Sequence, residues 1–388
     1  MTRMLAVFAR LGAAAAPLAL ALPGLAQAPA PVAPPSSVPA AVPLLGEQGT
    51  GPVLGRLRIY DDWAVGCDNR LACEAVALVP DGAGQSYMAL VVLQRAGGPD
   101  GAGVVRLLGA DQLRGRIELI VDGRRLARIK AAHDMAEITG PQALETMRAL
   151  ASNYAFELRA GKTLIDSPSL RGLPAALRYM DEVQGRVGSV AALVATGEEP
   201  ADKARPVPPA PAMPIPAGGA GVDAPPPVFT AQEQAAARRL AVCDGLHDSE
   251  YPAEIHRLDA DHALLLLPCQ AGEYNVSAVP LIATATAAST GNWQFRIARF
   301  DHVPGASGDP DAPPLIVNAR WNPTRFELSS FAKGRALGDC GTAETYKWDG
   351  SRFRLSEARS MPVCRGAWEW PLLYAADAAA EAAAAAGN

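Results

Sequence analysis

The residues of this chain best suited to chemistry are six cysteines: Cys67, Cys73, Cys243, Cys269, Cys340 and Cys364. Cysteines at such separations serve as disulfides, metal ligands or buried thiols. No C-x-x-C pair occurs, which disfavours a zinc site. An even count in an exported chain reads as a disulfide framework, for which six cysteines allow about 15 pairings. Nearest-neighbour pairing is the inference drawn, since each couple falls within one foldable stretch and brackets a strand turn or loop.

Other constellations are weaker. Ser330-Phe-Ala-Lys333 matches the S-x-x-K nucleophile motif, but that chemistry needs serine at a helix start, with K-T-G and S-D-N partners. Neither partner is present, and RFELSSF reads as strand. His247, His256 and His262 lie among Asp248, Glu250, Asp259 and Asp261. They would gather a divalent metal if they converged, with His256 and His262 facing across a hairpin turning at Asp259-Ala260. A solvated turn is the simpler reading. Lys333 to Gly341 is a glycine-rich loop in which backbone amides and Arg335 would cradle an anion; tight turning around Cys340 explains the same residues. Arg114, Arg116, Arg124, Arg125, Arg128 and Lys130 crowd one hairpin, either to meet an acidic envelope polymer or lipid head group, or as exposed stems covering a sheet. Trp368-Glu-Trp370 reads as a cap on the core. The expectation is therefore no catalytic set, no metal and no cofactor, with Arg116, Arg124, Arg125, Arg128, Lys333 and Arg335 as candidate binding residues.

The chain opens with Arg3, Arg10 and an apolar run from Leu11 to Leu22, followed by small residues. This reads as a signal peptide over 1–26, too short to span a bilayer, where about 20 residues are needed. A periplasmic protein without a stable membrane anchor is expected. The chain carries 35 basic and 40 acidic residues; without the leader's two arginines the net charge is −7, which disfavours a nucleic-acid partner. Proline and alanine mark a tether over 27–50 and a linker over 198–228, and an alanine-rich tail covers 375–388.

Two blocks lie between, 51–197 and 229–374. In the first, RLRIYDDWAVGC, SYMALVVLQ and RIELIVDGRRLARI read as strands, the last broken by a hairpin turn at Asp122-Gly123. AFELRAGKTLIDSP is a second hairpin turning at Ala160-Gly161. Thr139 to Gln142 reads as a capping box opening a helix, and a second helix begins near Pro174. The second block has one leading helix, about Ala231 to Ala241, then ALLLLPC, NWQFRIARFD, LIVNARW, RFELSSF, ETYKW and RFRLSEAR as strands. The fold expected is α+β in two domains: an antiparallel sheet with two helices, then a mainly antiparallel β domain forming a small sandwich or open barrel.

DDWAVGCDNRLACEA, SLRGLPAALRYMDEVQGRVGSVAALVATGEEP, LPCQAGEYN and KGRALGDCGTAETYKWDGSRFRLSEARSMPVCRG resemble domain of unknown function 1176, a family of exported proteobacterial proteins. The first block, with its W-x-x-x-C opening and short cysteine couple, is also similar to the invasion-associated locus B family. Both resemblances imply an exported location and a disulfide framework, and neither brings a catalytic residue. The function expected is non-catalytic binding of an envelope protein or glycan; the alternative is a hydrolase acting on an envelope polymer, using Ser330 or the 247–262 cluster.

Overall fold

Strands dominate because apolar and β-branched residues recur with a period of two between turn residues, the pattern of a pleated sheet. The computed structural model describes residues 51–83, 88–109, 113–213, 225–243, 246, 250–286, 292–305, 307 and 312–376. The leader, the tether, the middle of the linker and nearly all of the alanine tail lie outside the described residues.

The first block contains β1 (Leu57–Tyr60), β2 (Trp63–Cys67), β3 (Cys73–Ala77), β4 (Ala89–Arg95), β5 (Gly103–Gly109), β6 (Gly115–Val121), β7 (Arg124–Ala131) and β8 (Met135–Thr139), then helix α1 (Gly140–Ala151), β9 (Phe156–Ala160), β10 (Thr163–Asp166) and helix α2 (Leu173–Gln184). They form two antiparallel sheets, ordered β1-β2-β3-β4-β5-β8 and β10-β9-β6-β7. Trp63, Leu93, Leu107 and Leu119 pack with Met147 of α1, Phe156 and Met180 of α2 into one core.

The second block opens with α3 (Ala231–Ala241). Its strands are β11 (Glu254–Arg257), β12 (His262–Ala271), β13 (Val276–Ala285), β14 (Trp293–Ile297), β15 (Ile316–Val317), β16 (Arg320–Asn322), β17 (Glu327–Lys333), β18 (Gly341–Trp348), β19 (Phe353–Met361) and β20 (Leu372–Ala375). One sheet runs β11-β12-β13-β14 with β15 against β13, the other β16-β17-β18-β19-β20. Leu264 and Ile282 of the first sheet meet Leu328, Tyr346, Trp348 and Phe353 of the second, and α3 covers the first sheet's other face through Ala237 and Ala241. The sheets stay open and face each other, so the sandwich expectation holds and the barrel is set aside.

Local chemistry explains where the sequence reading and the structure part. Thr139 is extended, makes no side-chain cap and ends β8, whereas Thr230 and Glu233 form the reciprocal capping box at α3. The second hairpin turns on Gly161 and Lys162, since Ala160 still pairs with Thr163. The central strand β13 escapes the sequence reading because Pro280 sits within it, and proline argues against a central strand. Pro280 falls where the edge of β13 changes partner, from β15 at Ser277 and Ala278 to β14 at Leu281. Its carbonyl accepts the Ala298 N–H at 2.9 Å, so the N–H it lacks would point into that gap.

The linker begins later than proline content suggests. The Arg205 N–H bonds the Gln184 carbonyl at 2.9 Å, and Ala204 is buried. Buried Asp181, Gln184 and Arg186 hold this return, with the Leu193 N–H 2.9 Å from the Asp181 carboxylate.

Three disulfides form, Cys67–Cys73, Cys243–Cys269 and Cys340–Cys364. They close the β2–β3 hairpin, tie the end of α3 to β12, and tie the loop before β18 to the β19–β20 connection. In the chain-entropy account each is worth about 2–4 kcal/mol.

β2 and β4 are apolar at almost every position and buried on both faces, which requires a cover on each side of the six-stranded sheet. The second block supplies the outer cover: Met361, Ala367 and Trp370 pack on Ala64, Val76, Leu78, Leu90 and Val92. A Cβ on Gly66 would lie 2.7 Å from Leu373 and 2.8 Å from Pro371, so only glycine admits β20 there. Polar contacts frame this apolar cluster. Arg365 reaches Asp62 at 2.5 Å, the Val79 carbonyl at 2.7 Å and the Asp61 carbonyl at 2.7 Å. Arg359 meets Glu74 at 3.3 Å, and Asn69 exchanges two hydrogen bonds with Ala375 at 3.1 and 2.8 Å.

Removing Arg365 leaves Asp62, 4% exposed, without its cation. Arg365→Ala is expected to lower unfolding free energy by about 3 kcal/mol or more. Arg178→Ala, whose ion pair with Glu182 is exposed, should change it by less than about 1 kcal/mol. Urea titration of both variants reads the contrast, and equal small effects would contradict the role given to Arg365.

Candidate binding surface

The basic hairpin is built by its turn and its inner face. Asp122 and Gly123 both take left-handed backbone angles, φ 46° and 75°, the pairing that suits a two-residue turn between twisted strands. The Asp122 carboxylate accepts the Ala155 N–H at 2.8 Å and the Tyr154 N–H at 3.2 Å, pinning the tip beside β9. Ile117, Leu119, Val121 and Ala127 are buried on the inner face. Alternation therefore sends their neighbours outward.

The outer face reads as three rows of paired residues: Arg116 with Lys130; Arg128, Glu118 and Arg159; then Arg125, Ile120 and Glu157. Glu118 accepts from Arg125 at 3.2 Å and from Arg128 Nε at 2.9 Å, with a second, shorter contact from Arg128. The Arg128 hydrogen bond holds the Glu118 carboxyl below its usual pKa. Arg159 is met by Glu157 at 2.6 Å. Among the described residues Arg116 and Lys130 have no acidic partner, so this face carries a surplus of positive charge; Arg124 pairs with Val121 and so belongs to the other face, and Arg114 precedes β6.

The glycine-rich loop is arranged differently. Arg335 is taken by Asp339, at 2.6 Å from its Nε to Oδ1 with a second, shorter contact, and the Gly366 N–H donates to Asp339 at 2.7 Å. The Arg335 bond holds the Asp339 carboxyl below its usual pKa. An internal carboxylate thus sits where an external anion was expected. Lys333 is held through its backbone by Asn275, at 3.2 and 2.8 Å, and its ammonium has no acidic partner among the described residues. This loop joins β17 to β18, whereas the arginine hairpin belongs to the four-stranded sheet, so the six candidate residues divide between two places.

Among the described residues the groups considered for catalysis do not assemble. Ser330 is 1% exposed, accepts the Val317 N–H at 3.2 Å, and lies on the strand face opposite Lys333, three residues away. His262 bonds Asp259 at 2.8 Å, and Asp259 also accepts from Trp348 at 3.0 Å. His256 pairs with Leu264 in the strand register and bonds Glu254 at 3.0 Å. His247 and Asp248 lie outside the described residues. The one grouping of potential metal ligands among the described residues is Asp339 with Cys340 and Cys364, and both sulfurs are in a disulfide. Trp370 is a cap, stacked on Phe331 with ring centres 5.0 Å apart, while Trp368 is partly exposed.

Glu344 was missed by motif reading. It is 4% exposed on β18, directly opposite Ser330, on the face carrying Tyr346 and Trp348. Oε1 accepts the Gly305 N–H at 3.2 Å, while Oε2 has no protein partner. Burial pushes its pKa up to about 7. The signal was there: Glu344 shares the parity of the two aromatic residues that follow it.

These features define a disulfide-braced α+β protein that carries, among the described residues, a cationic sheet face. The chain belongs to the family described as Protein of unknown function (DUF1176), whose profile matches residues 57–377. It is 30% identical over 348 residues to the Uncharacterized protein YpfG of Escherichia coli (strain K12), covering 82% of this chain and 92% of that protein. No solved structure matches. The match spans both blocks and does not show the likeness of 51–197 to the invasion-associated locus B family.

Glu344 has a folded pKa of about 7, against an ordinary 4.5. Its protonated form therefore favours the fold fully below about pH 4.5, and that contribution is lost as pH rises through about 7, about 3 kcal/mol in all. Glu344→Gln should unfold at a Tm whose gain over the natural protein widens between pH 5 and pH 8. A constant difference would show that the carboxyl is not titrating there.

Proposed function

We propose that this is an exported periplasmic protein that binds an envelope protein or glycan through its cationic sheet face and catalyses nothing. The observation carrying this reading is the excess of arginine and lysine on the outer face of β6 and β7 over the single carboxylate, Glu118, that serves them. The leader-like opening and three formed disulfides support an oxidising destination. The negative charge of the rest of the chain supports a partner that is anionic only where it meets this face, rather than nucleic acid.

The test combines location with capture. Osmotic-shock fractionation of cells expressing the full chain should release a shortened, oxidised form, and deleting 1–26 should retain it inside. In-cell crosslinking from a photoreactive residue at position 164, exposed on the cationic face opposite Arg159, should enrich one specific envelope component over the same probe placed at position 320. Retention in the cytoplasm would overturn the location. Equal capture at both positions would overturn the surface.

A further inference from the structure

This inference rests on the cationic face as the binding surface proposed above and goes beyond the protein or glycan partner named there; one row of that face narrows the chemistry of the anion. Arg116 stands directly opposite Lys130 across the β6–β7 ladder. Like charges directly opposite in a sheet are destabilising. The next row solves the problem internally, with Glu118 between Arg128 and Arg159; the Arg116–Lys130 row has no acidic partner among the described residues. Arg125, opposite Ile120, and Arg128 and Arg159, flanking Glu118, add further cations to the same face.

We infer that this face docks on phosphate-rich head groups of an envelope lipid, with a phosphate monoester seated between Arg116 and Lys130. The row leaves two positive charges uncompensated. A carboxylate would neutralise one of them, whereas a phosphate monoester carries about −1.5 to −2 at neutral pH. A guanidinium fork matches two phosphate oxygens, and an ammonium adds a point charge to a third.

The spread of charge favours a lipid surface over a free small anion. From the Arg116–Lys130 row to Arg125, opposite Ile120, the cations extend over roughly 13 Å of strand, and with Arg128 and Arg159 they cover three neighbouring strands, more than one phosphate can span but suited to a plane of many. Each cation near such a plane is worth about 1 kcal/mol. Leu164, 49% exposed, is paired with Arg159 and so lies on the same face, where it offers an apolar contact. The negative remainder of the chain would turn its other surfaces away from the anionic plane.

The experiment is co-sedimentation of the mature protein with vesicles of phosphatidylcholine alone, or with added phosphatidic acid or phosphatidylglycerol, alongside retention on immobilised polygalacturonate. Binding is expected to phosphatidic acid vesicles, more weakly to phosphatidylglycerol, and not to phosphatidylcholine. Arg116→Gln/Lys130→Gln should weaken the first by about thirtyfold, roughly fivefold for each charge removed. Circular dichroism should be unchanged, because both side chains are exposed. Equal binding to the two anionic lipids, or an unaffected double variant, would overturn the inference. Retention on polygalacturonate without vesicle binding would overturn it while leaving the glycan reading standing; absence of both would overturn it and leave only a protein partner for this face.

Discussion

The architecture depends on covering the outer face of the six-stranded sheet. Strands apolar on both sides cannot face water on either, and at roughly 25 cal/mol per Å² of apolar surface the cost of exposure is large. Met361, Ala367 and Trp370 provide the cover. Arg365 then fixes its position, since its several hydrogen bonds cannot be kept if the connection shifts. The two blocks consequently have separate cores and a shared third cluster. The Cys340–Cys364 bond anchors the connection that carries these residues, so its contribution is to the joint between blocks as well as to local loop closure.

The cationic face belongs to the other sheet of the first block, away from that joint. Its inner side is held by core packing and its tip by Asp122, so its outer side chains stand on a rigid base. Rigidity matters for a binding face, because less ordering entropy is lost on contact. The glycine-rich loop shows the contrasting solution, in which an internal carboxylate neutralises the arginine and backbone bonds do the holding.

Much of this was legible where the governing interactions are local. Asp122-Gly123, α3, α2 and the nearest-neighbour cysteine pairs depend on residues close in sequence, and each appears in the structure. β13 was not legible, because Pro280 is permitted only by an exchange of neighbours on its far edge, which is a tertiary fact. β5, with 7 residues, and β8, with 5, were passed over by the sequence reading, although β5 pairs with β4 along its whole length. The joint between blocks had a signal, the absence of polar alternation in WAVGC and ALVVLQR, but only the structure says what lies on the second side. For the site, the hairpin arginines were identifiable by type and density. Which of them Glu118 satisfies, and that Asp339 occupies Arg335, follow from register and loop closure that spacing does not encode.

The exchange between Asn69 and Ala375 joins residues 306 positions apart. Wherever the chain is delivered to its folding compartment amino end first, the first block's large sheet must wait with an oily back until β20 has arrived. During that interval the unfinished sheet is the molecule's most aggregation-prone surface, and its lifetime is set by how soon β20 arrives.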